Sequence, residues 1–185
     1  MVSAVLLLAE GAEEMEAVIT IDTLRRGGIT VTVAGVGGDG PMKCSRDVYV
    51  KPDMSLTAAV AKGPYDAVVI PGGMQGSENV AASDEAKALL MEQEKAGRVI
   101  AAICAAPAIC LPAHGVGEGK KVTCYPSLEK KFPPGKYTFQ PDKVVIDGQL
   151  VTSQGPGTAF DFALALVEKL VSAEKRNTVA SGLLL

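Results

Sequence analysis

Val99-Ile-Ala-Ala-Ile-Cys-Ala-Ala-Pro107 decides the fold. An apolar run ends abruptly at Cys104, small residues and a proline follow, and Ala108-Ile-Cys-Leu111 continues beyond them. The pattern is that of a buried strand turning sharply into a helix, with a thiol at the corner. A helix N-terminus favours negative charge, so this corner biases the thiol toward thiolate, its nucleophilic and oxidisable form.

Outward from the corner, strands and helices alternate. Val2 to Ala9 is a continuous apolar run, as a central parallel strand requires. Glu13 to Arg26 has apolar residues at Met15, Val18, Ile19 and Leu24 before Gly27-Gly28, the pattern of an amphipathic helix and its stop. Ile29 to Val36 and Tyr65 to Ile70 read as further strands, and Tyr49-Val50 as a short edge strand. Leu56 to Ala61 and Asp84 to Lys95 read as helices, the second capped by Ser83. A helix runs from the corner to about His114. Val122 to Cys124 reads as a strand and Phe132-Pro-Pro-Gly135 as a loop. Asp147-Gly148, between Val144–Ile146 and Leu150–Thr152, signals a hairpin. Pro156 to Leu170 reads as a helix started by its proline, and the tail from Ala173 as one more. The expected architecture is one α/β domain spanning residues 1–185, with a mainly parallel sheet.

The 185 residues suffice for a sizeable core, and 48% hydrophobic against 21% charged residues excludes a disordered chain. A net charge of −3, few aromatics and no Trp argue against a nucleic-acid groove. Val99 to Ala113 is the longest apolar run; it holds two prolines and falls short of the ~20 residues of a membrane helix. Val2 to Ala9 lacks a basic leader and a cleavage site. A soluble, cytoplasmic protein is expected, with nuclear and mitochondrial pools as further expectations. Cys44, Cys104, Cys110 and Cys124 match no zinc spacing and read as free thiols, so no metal and no cofactor is implied.

In parallel α/β folds ligands bind at the carboxyl ends of the strands. Glu10-Gly11, Pro71-Gly72-Gly73 and Cys104 all fall there. Gly72 and Gly73 lack side chains, so their backbone can approach a ligand, and their N–H groups with that of Ala105 can form an oxyanion hole. Glu13, Glu14 and Glu16 complement the first helix's dipole; one of them beside a thiolate would have to keep its proton and donate it to sulfur. His114, the one histidine, lies ten residues beyond Cys104, or ~15 Å along a helix, and Gly115 ends that helix, so a Cys-His dyad is rejected. Gly35-Val-Gly-Gly-Asp-Gly40 has dinucleotide-loop spacing but precedes Pro41 and opens no helix. Arg46 reads first as a surface ion-pair partner, and Cys44 and Cys124 as structural or secondary oxidation sites.

Taken together, Ala9-Glu-Gly-Ala-Glu-Glu-Met-Glu16, Val31-Thr-Val-Ala-Gly35, Lys43-Cys-Ser-Arg-Asp47, Gly63-Pro-Tyr-Asp66, Pro71-Gly-Gly73, Ile100-Ala-Ala-Ile-Cys-Ala105 and Gly155-Pro-Gly-Thr158 resemble the ThiJ/PfpI superfamily, and within it the animal deglycases. The resemblance covers nearly the whole chain in order. It implies a flavodoxin-like three-layer α/β/α sandwich that forms a homodimer. It implies Cys104 as nucleophile and peroxide-sensitive thiol, Glu16 as a protonated acid beside it, and Gly73 and Ala105 as oxyanion-hole amides. Gly72, Tyr125 and Arg46 would line the site, Arg46 reaching a partner's site. Asp22, Arg25 and Arg46 would lie in the dimer interface. Two positions depart from the pattern: Tyr125 stands where many relatives carry histidine, and Gln154 where close relatives carry arginine. Tyrosine donates a hydrogen bond but is a poor base at neutral pH, and glutamine lowers the positive potential.

The implied function is a cysteine-dependent, cofactor-independent deglycase or glyoxalase acting on methylglyoxal, glyoxal and their early adducts, with oxidative-stress sensing through Cys104. The alternative is a non-enzymatic redox sensor and redox-regulated chaperone with protein partners. A cysteine protease or amidotransferase uses the same corner but lacks its histidine.

Overall fold

A computed structural model describes residues 1–185. Its centre is a seven-stranded sheet in the order β10-β11-β7-β6-β1-β2-β5. The strands are β1 (Ser3–Leu8), β2 (Thr30–Gly35), β5 (Met54–Ser55), β6 (Ala67–Ile70), β7 (Val99–Ile103), β10 (Val144–Asp147) and β11 (Leu150–Ser153). All neighbours pair in parallel except β10 with β11, which form the hairpin around Asp147-Gly148.

Alternation along β1 sorts the core into two layers. Ala4, Leu6 and Leu8 face one cluster with Leu24, Phe162, Leu166 and Val167. Val5 and Leu7 face the other, with Leu56, Leu90 and Leu111. The first layer is covered by α1 (Glu14–Arg26), α6 (Ala159–Leu170) and α7 (Ala173–Gly182), the second by α2 (Leu56–Val60), α3 (Met74–Ala81), α4 (Asp84–Lys95) and α5 (Ala106–His114). This is the flavodoxin-like three-layer arrangement. No helix is long and apolar enough to cross a membrane.

Caps fall where polar residues stand. Glu13 accepts from Glu16 N, Ser83 from Ala86 N, and Gly115, in the left-handed region, ends α5. Four details differ from expectation. Tyr49–Val50 (β4) pairs with Met42–Lys43 (β3) as a separate hairpin, leaving the sheet edge to β5. The strand expected at Val122 to Cys124 is Lys121–Val122 (β8), which pairs with Thr138–Phe139 (β9); it stops because Thr123 N bonds the Thr152 hydroxyl at 2.9 Å. The helix expected from Pro156 starts as a 3₁₀ turn, Pro156–Thr158, because the Thr158 hydroxyl bonds back to Gly155. Helix α3 is unexpected: Gly76, a poor helix former, sits where an added Cβ would come within 2.6 Å of Ala12 Cα.

Candidate active site

The carboxyl ends of β1, β6 and β7 adjoin in the sheet, and their loops are tied together. Glu13 N donates to Gly72 O at 2.9 Å, joining the loop after β1 to that after β6. At the end of β7, Cys104 takes φ 65, a left-handed conformation that costs a non-glycine residue about 1–3 kcal/mol. Hydrogen bonds hold it there: Cys104 N donates to Ser153 O at 3.0 Å, and Tyr125 N donates to Cys104 O at 2.8 Å. The elbow presents the thiol just before α5. Cys104 is half-buried, whereas Cys44, Cys110 and Cys124 are buried.

Glu16, on the first turn of α1, is 0% exposed. Gly72 N donates to its Oε2 at 2.7 Å, while Oε1 has no N–H or O–H partner. The carboxyl and the Cys104 thiol are close enough for each to shift the other's titration. Gly72 is required between them, since an added Cβ would lie 2.5 Å from Cys104 Cβ and 2.6 Å from Glu16 Oε2. Gly73, at φ 82, caps α3; its N–H and that of Ala105 favour negative charge on the Cys104 sulfur. The two amides expected to form an oxyanion hole therefore lie near the Cys104 sulfur.

Burial pushes Glu16 up to about 7, against the lowering effect of the Gly72 amide and the thiol. Burial and then the charge of an ionised Glu16 push Cys104 up to about 12, against the two amides. Helix-terminus polarity alone therefore does not make this thiol acidic. The common cause is that two negative charges cannot share one dry pocket, so the pair keeps a proton at neutral pH.

The cavity over the thiol measures ≈ 590 Å3 and is lined by residues that include Glu13, Arg46, Met74, Tyr125, Leu128 and Pro156. Arg46 thus stands in the wall of its own chain's pocket, and its side chain bonds Ser45 O rather than a carboxylate. Sequence reasoning missed how it is held. Glu14, buried on α1, accepts from the Ser45 hydroxyl at 2.9 Å and from Arg46 N at 2.8 Å. Burial raises the Glu14 carboxyl, but its own backbone amide, these two bonds and the Val48 amide together outweigh it and hold it below its ordinary range. Nothing in the sequence separates Glu14 from acids that merely complement a helix dipole.

Gln154 bonds Pro141 O at 3.0 Å and Thr123 Oγ1 at 3.4 Å, and stays out of the cavity wall. His114 is buried at the far end of α5, with Nε2 3.2 Å from Val80 O, and takes no part in the site. Asp22 pairs with Arg26, and Arg25 with Asp53, on the outer side of α1.

Comparison with known proteins agrees with this geometry. The model of the DJ-1/PfpI family matches residues 2–169. The crystal structure of Drosophila melanogaster DJ-1beta aligns over 100% of this chain and 98% of its own, with a TM-score of 0.95 and 51% identity. The Parkinson disease protein 7 homolog of Danio rerio is 47% identical over 98% of this chain and 96% of its own length. The glutathione-independent glyoxalase DJR-1.2 of Caenorhabditis elegans is 41% identical over 98% of this chain and 95% of its own. With the match spanning nearly every element that builds the pocket, the chain belongs to the DJ-1/PfpI family.

Proposed function

We propose that this chain is a cofactor-independent glyoxalase and deglycase in which Cys104 attacks the aldehyde carbon of methylglyoxal, glyoxal or their early adducts. The observation that carries this reading is the Cys104–Glu16 pair. The Gly73 and Ala105 amides favour charge on the sulfur, and the one buried carboxyl oxygen without a hydrogen-bond partner, Glu16 Oε1, lies in the same pocket. A carboxylate oxygen left there without a donor is costly, whereas a Glu16 O–H directed at sulfur satisfies both groups. This reading places the shared proton on Glu16 and the negative charge on Cys104, against the burial that pushes the thiol up. The similarity to a glyoxalase supports the same chemistry.

In the reaction the thiolate forms a C–S bond to the aldehyde carbon, and the carbonyl electron pair moves onto oxygen. Gly73 and Ala105 N–H groups face that oxyanion, and Glu16 supplies its proton. Glu16, now ionised, takes the proton from the former aldehyde carbon and returns it to the neighbouring carbonyl carbon, while the hydroxyl proton on the first oxygen passes to the second. The first carbon is oxidised to a thioester and the second reduced to an alcohol, so no external oxidant is needed. Water cleaves the thioester, releasing lactate from methylglyoxal or glycolate from glyoxal and restoring the pair. For an amine or thiol adduct, release of that group accompanies the same steps.

Methylglyoxal consumption with stoichiometric lactate tests this. Cys104→Ala abolishes turnover and Glu16→Gln lowers kcat by about 10²–10⁴-fold, the usual contribution of a positioned acid–base. Full activity in Cys104→Ala would overturn the assignment.

A second reading concerns the same thiol. Cys104 alone among the four cysteines is not buried, which favours it as the peroxide target. One peroxide takes the thiolate to sulfenate with release of water, and a second gives sulfinate. Mass spectrometry after mild peroxide then finds sulfinate on Cys104 first; oxidation of Cys44, Cys110 or Cys124 with Cys104 spared contradicts it. The exposed Met15 and Val18 on α1, beside Asp22 and Arg25, support a homodimer through that helix, with Arg46 at its edge. Sedimentation equilibrium tests this, and a monomer at all concentrations contradicts it.

A further inference from the structure

We infer that this cavity selects α-oxoaldehydes with a bulky apolar or aromatic substituent, and that Tyr125 determines the preference. The inference rests on the carbonyl chemistry proposed above and names its substrate class. It comes from a mismatch between the cavity and methylglyoxal, which offers one methyl group beside its two carbonyls. The cavity measures ≈ 590 Å3 in the single chain, and beyond the reacting corner its apolar wall away from the proposed dimer helix is formed by Met74, Tyr125, Leu128 and Pro156. Met74 is 43% and Tyr125 47% exposed, so apolar surface lies uncovered beside the nucleophile. Apart from the reacting Cys104, only Glu13 and Arg46 among the wall residues carry charge, and the Gln154 amide is spent on Pro141 O and Thr123 Oγ1.

Tyr125 is placed by the reacting residue itself, through the 2.8 Å bond from its N–H to Cys104 O. It leads directly into the 3₁₀ turn Pro126–Lys131, which contributes Ser127 and Leu128 to the same wall. The ring approaches Gly155, where an added Cβ would lie 3.5 Å from Cδ2. The main chain, rather than core packing, thus fixes the root of an aromatic side chain at the pocket wall. An aryl group on the carbonyl next to the aldehyde would stack on this ring and meet the thioether of Met74, which favours aromatic edges. Phenylglyoxal would react by the same balanced steps and give mandelate.

The experiment has two readouts. The first is the ratio of kcat/KM for phenylglyoxal to that for methylglyoxal in the wild type, Tyr125→Phe and Tyr125→Ala, in which intrinsic reactivity cancels. The ratio falls about tenfold in Tyr125→Ala and is retained in Tyr125→Phe, as expected for loss of an apolar contact rather than a hydroxyl. The second needs no turnover: acetophenone, compared with acetone, slows iodoacetamide alkylation of Cys104 in the wild type and loses that advantage in Tyr125→Ala. Both substitutions keep the main-chain bond to Cys104, so the elbow is preserved. An unchanged ratio in Tyr125→Ala overturns the inference. Absence of turnover with both aldehydes refutes the proposed chemistry. Selective acetophenone protection in that case still supports the cavity preference, and no selective protection rejects it too.

Discussion

Glu16 provides a stability signature that can be measured without any assumption about substrate. The perturbation is Glu16→Gln, made in a Cys104→Ala background so that the thiol no longer titrates beside it. Burial pushes Glu16 up to about 7, from its ordinary value of 4.5. Between those values the folded protein keeps a proton that the unfolded chain has lost. An acid whose folded pKa is raised therefore contributes stability that falls as pH rises through this window. Each pKa unit is worth about 1.4 kcal/mol, which makes about 3 kcal/mol across the window. Because Glu16 is 0% exposed, solvent does not screen this cost. Glutamine fills the same space and its oxygen still accepts from Gly72 N, but it never ionises. Urea denaturation from pH 4 to pH 8 should find the two proteins similar at pH 4. At pH 8 the glutamine variant should be more stable by about 3 kcal/mol, or about 6–12 °C in Tm for a chain of this size. Glu14 and His114 titrate with the opposite sign, but they are common to both proteins and cancel in the difference. A stability difference that does not change with pH would refute the buried, proton-holding carboxyl.

Two further perturbations probe the frame around the pair. Gly72→Ala places a Cβ 2.5 Å from Cys104 Cβ and 2.9 Å from Ile103 O; it should cost about 1–3 kcal/mol in urea denaturation and remove turnover by prising the pair apart, whereas wild-type stability and rate would show that the close approach is not required. Glu14→Gln keeps one acceptor for the Ser45–Arg46 turn and loses the other, costing about 1.5–3 kcal/mol for a charge-assisted hydrogen bond. It should also speed hydrogen exchange at the Arg46 amide. Because Glu14 is held below its ordinary range, its contribution is present at neutral pH and lost as pH falls through its folded pKa, so the gap between the proteins should close in acid.

Much of this architecture was legible in the chain because strong local signals agreed with the fold. The apolar runs at Val2 to Ala9 and Val99 to Ile103 became central strands, and Asp147-Gly148 became the hairpin turn. Helix α3 was illegible because Gly76 was retained for close approach to Ala12, a tertiary demand that overrides helix propensity. Strand β8 and the turn at Pro156 were misjudged because side-chain bonds, Thr152 to Thr123 N and Thr158 to Gly155, compete with regular ladders. In the site, Cys104 and the glycines announced themselves by position, and the rejected role of His114 agrees with its burial against Val80. The first helix's acids did not: Glu13 caps, Glu14 holds the Arg46 turn and Glu16 faces the thiol, yet periodicity cannot assign those three roles. The acidity of Cys104 was the least legible property. Helix polarity argued for a thiolate, but burial opposes it, and the outcome depends on where the shared proton sits.

That proton is the central claim, and thiolate absorbance near 240 nm tests it most directly. The titration is read as wild type minus Cys104→Ala, from acid to alkaline pH. With the proton on Glu16, the thiolate band is already present at pH 7, below the ordinary thiol range of about 8.5. A band that emerges only above that range would place the proton on sulfur and the charge on Glu16, and would contradict the account.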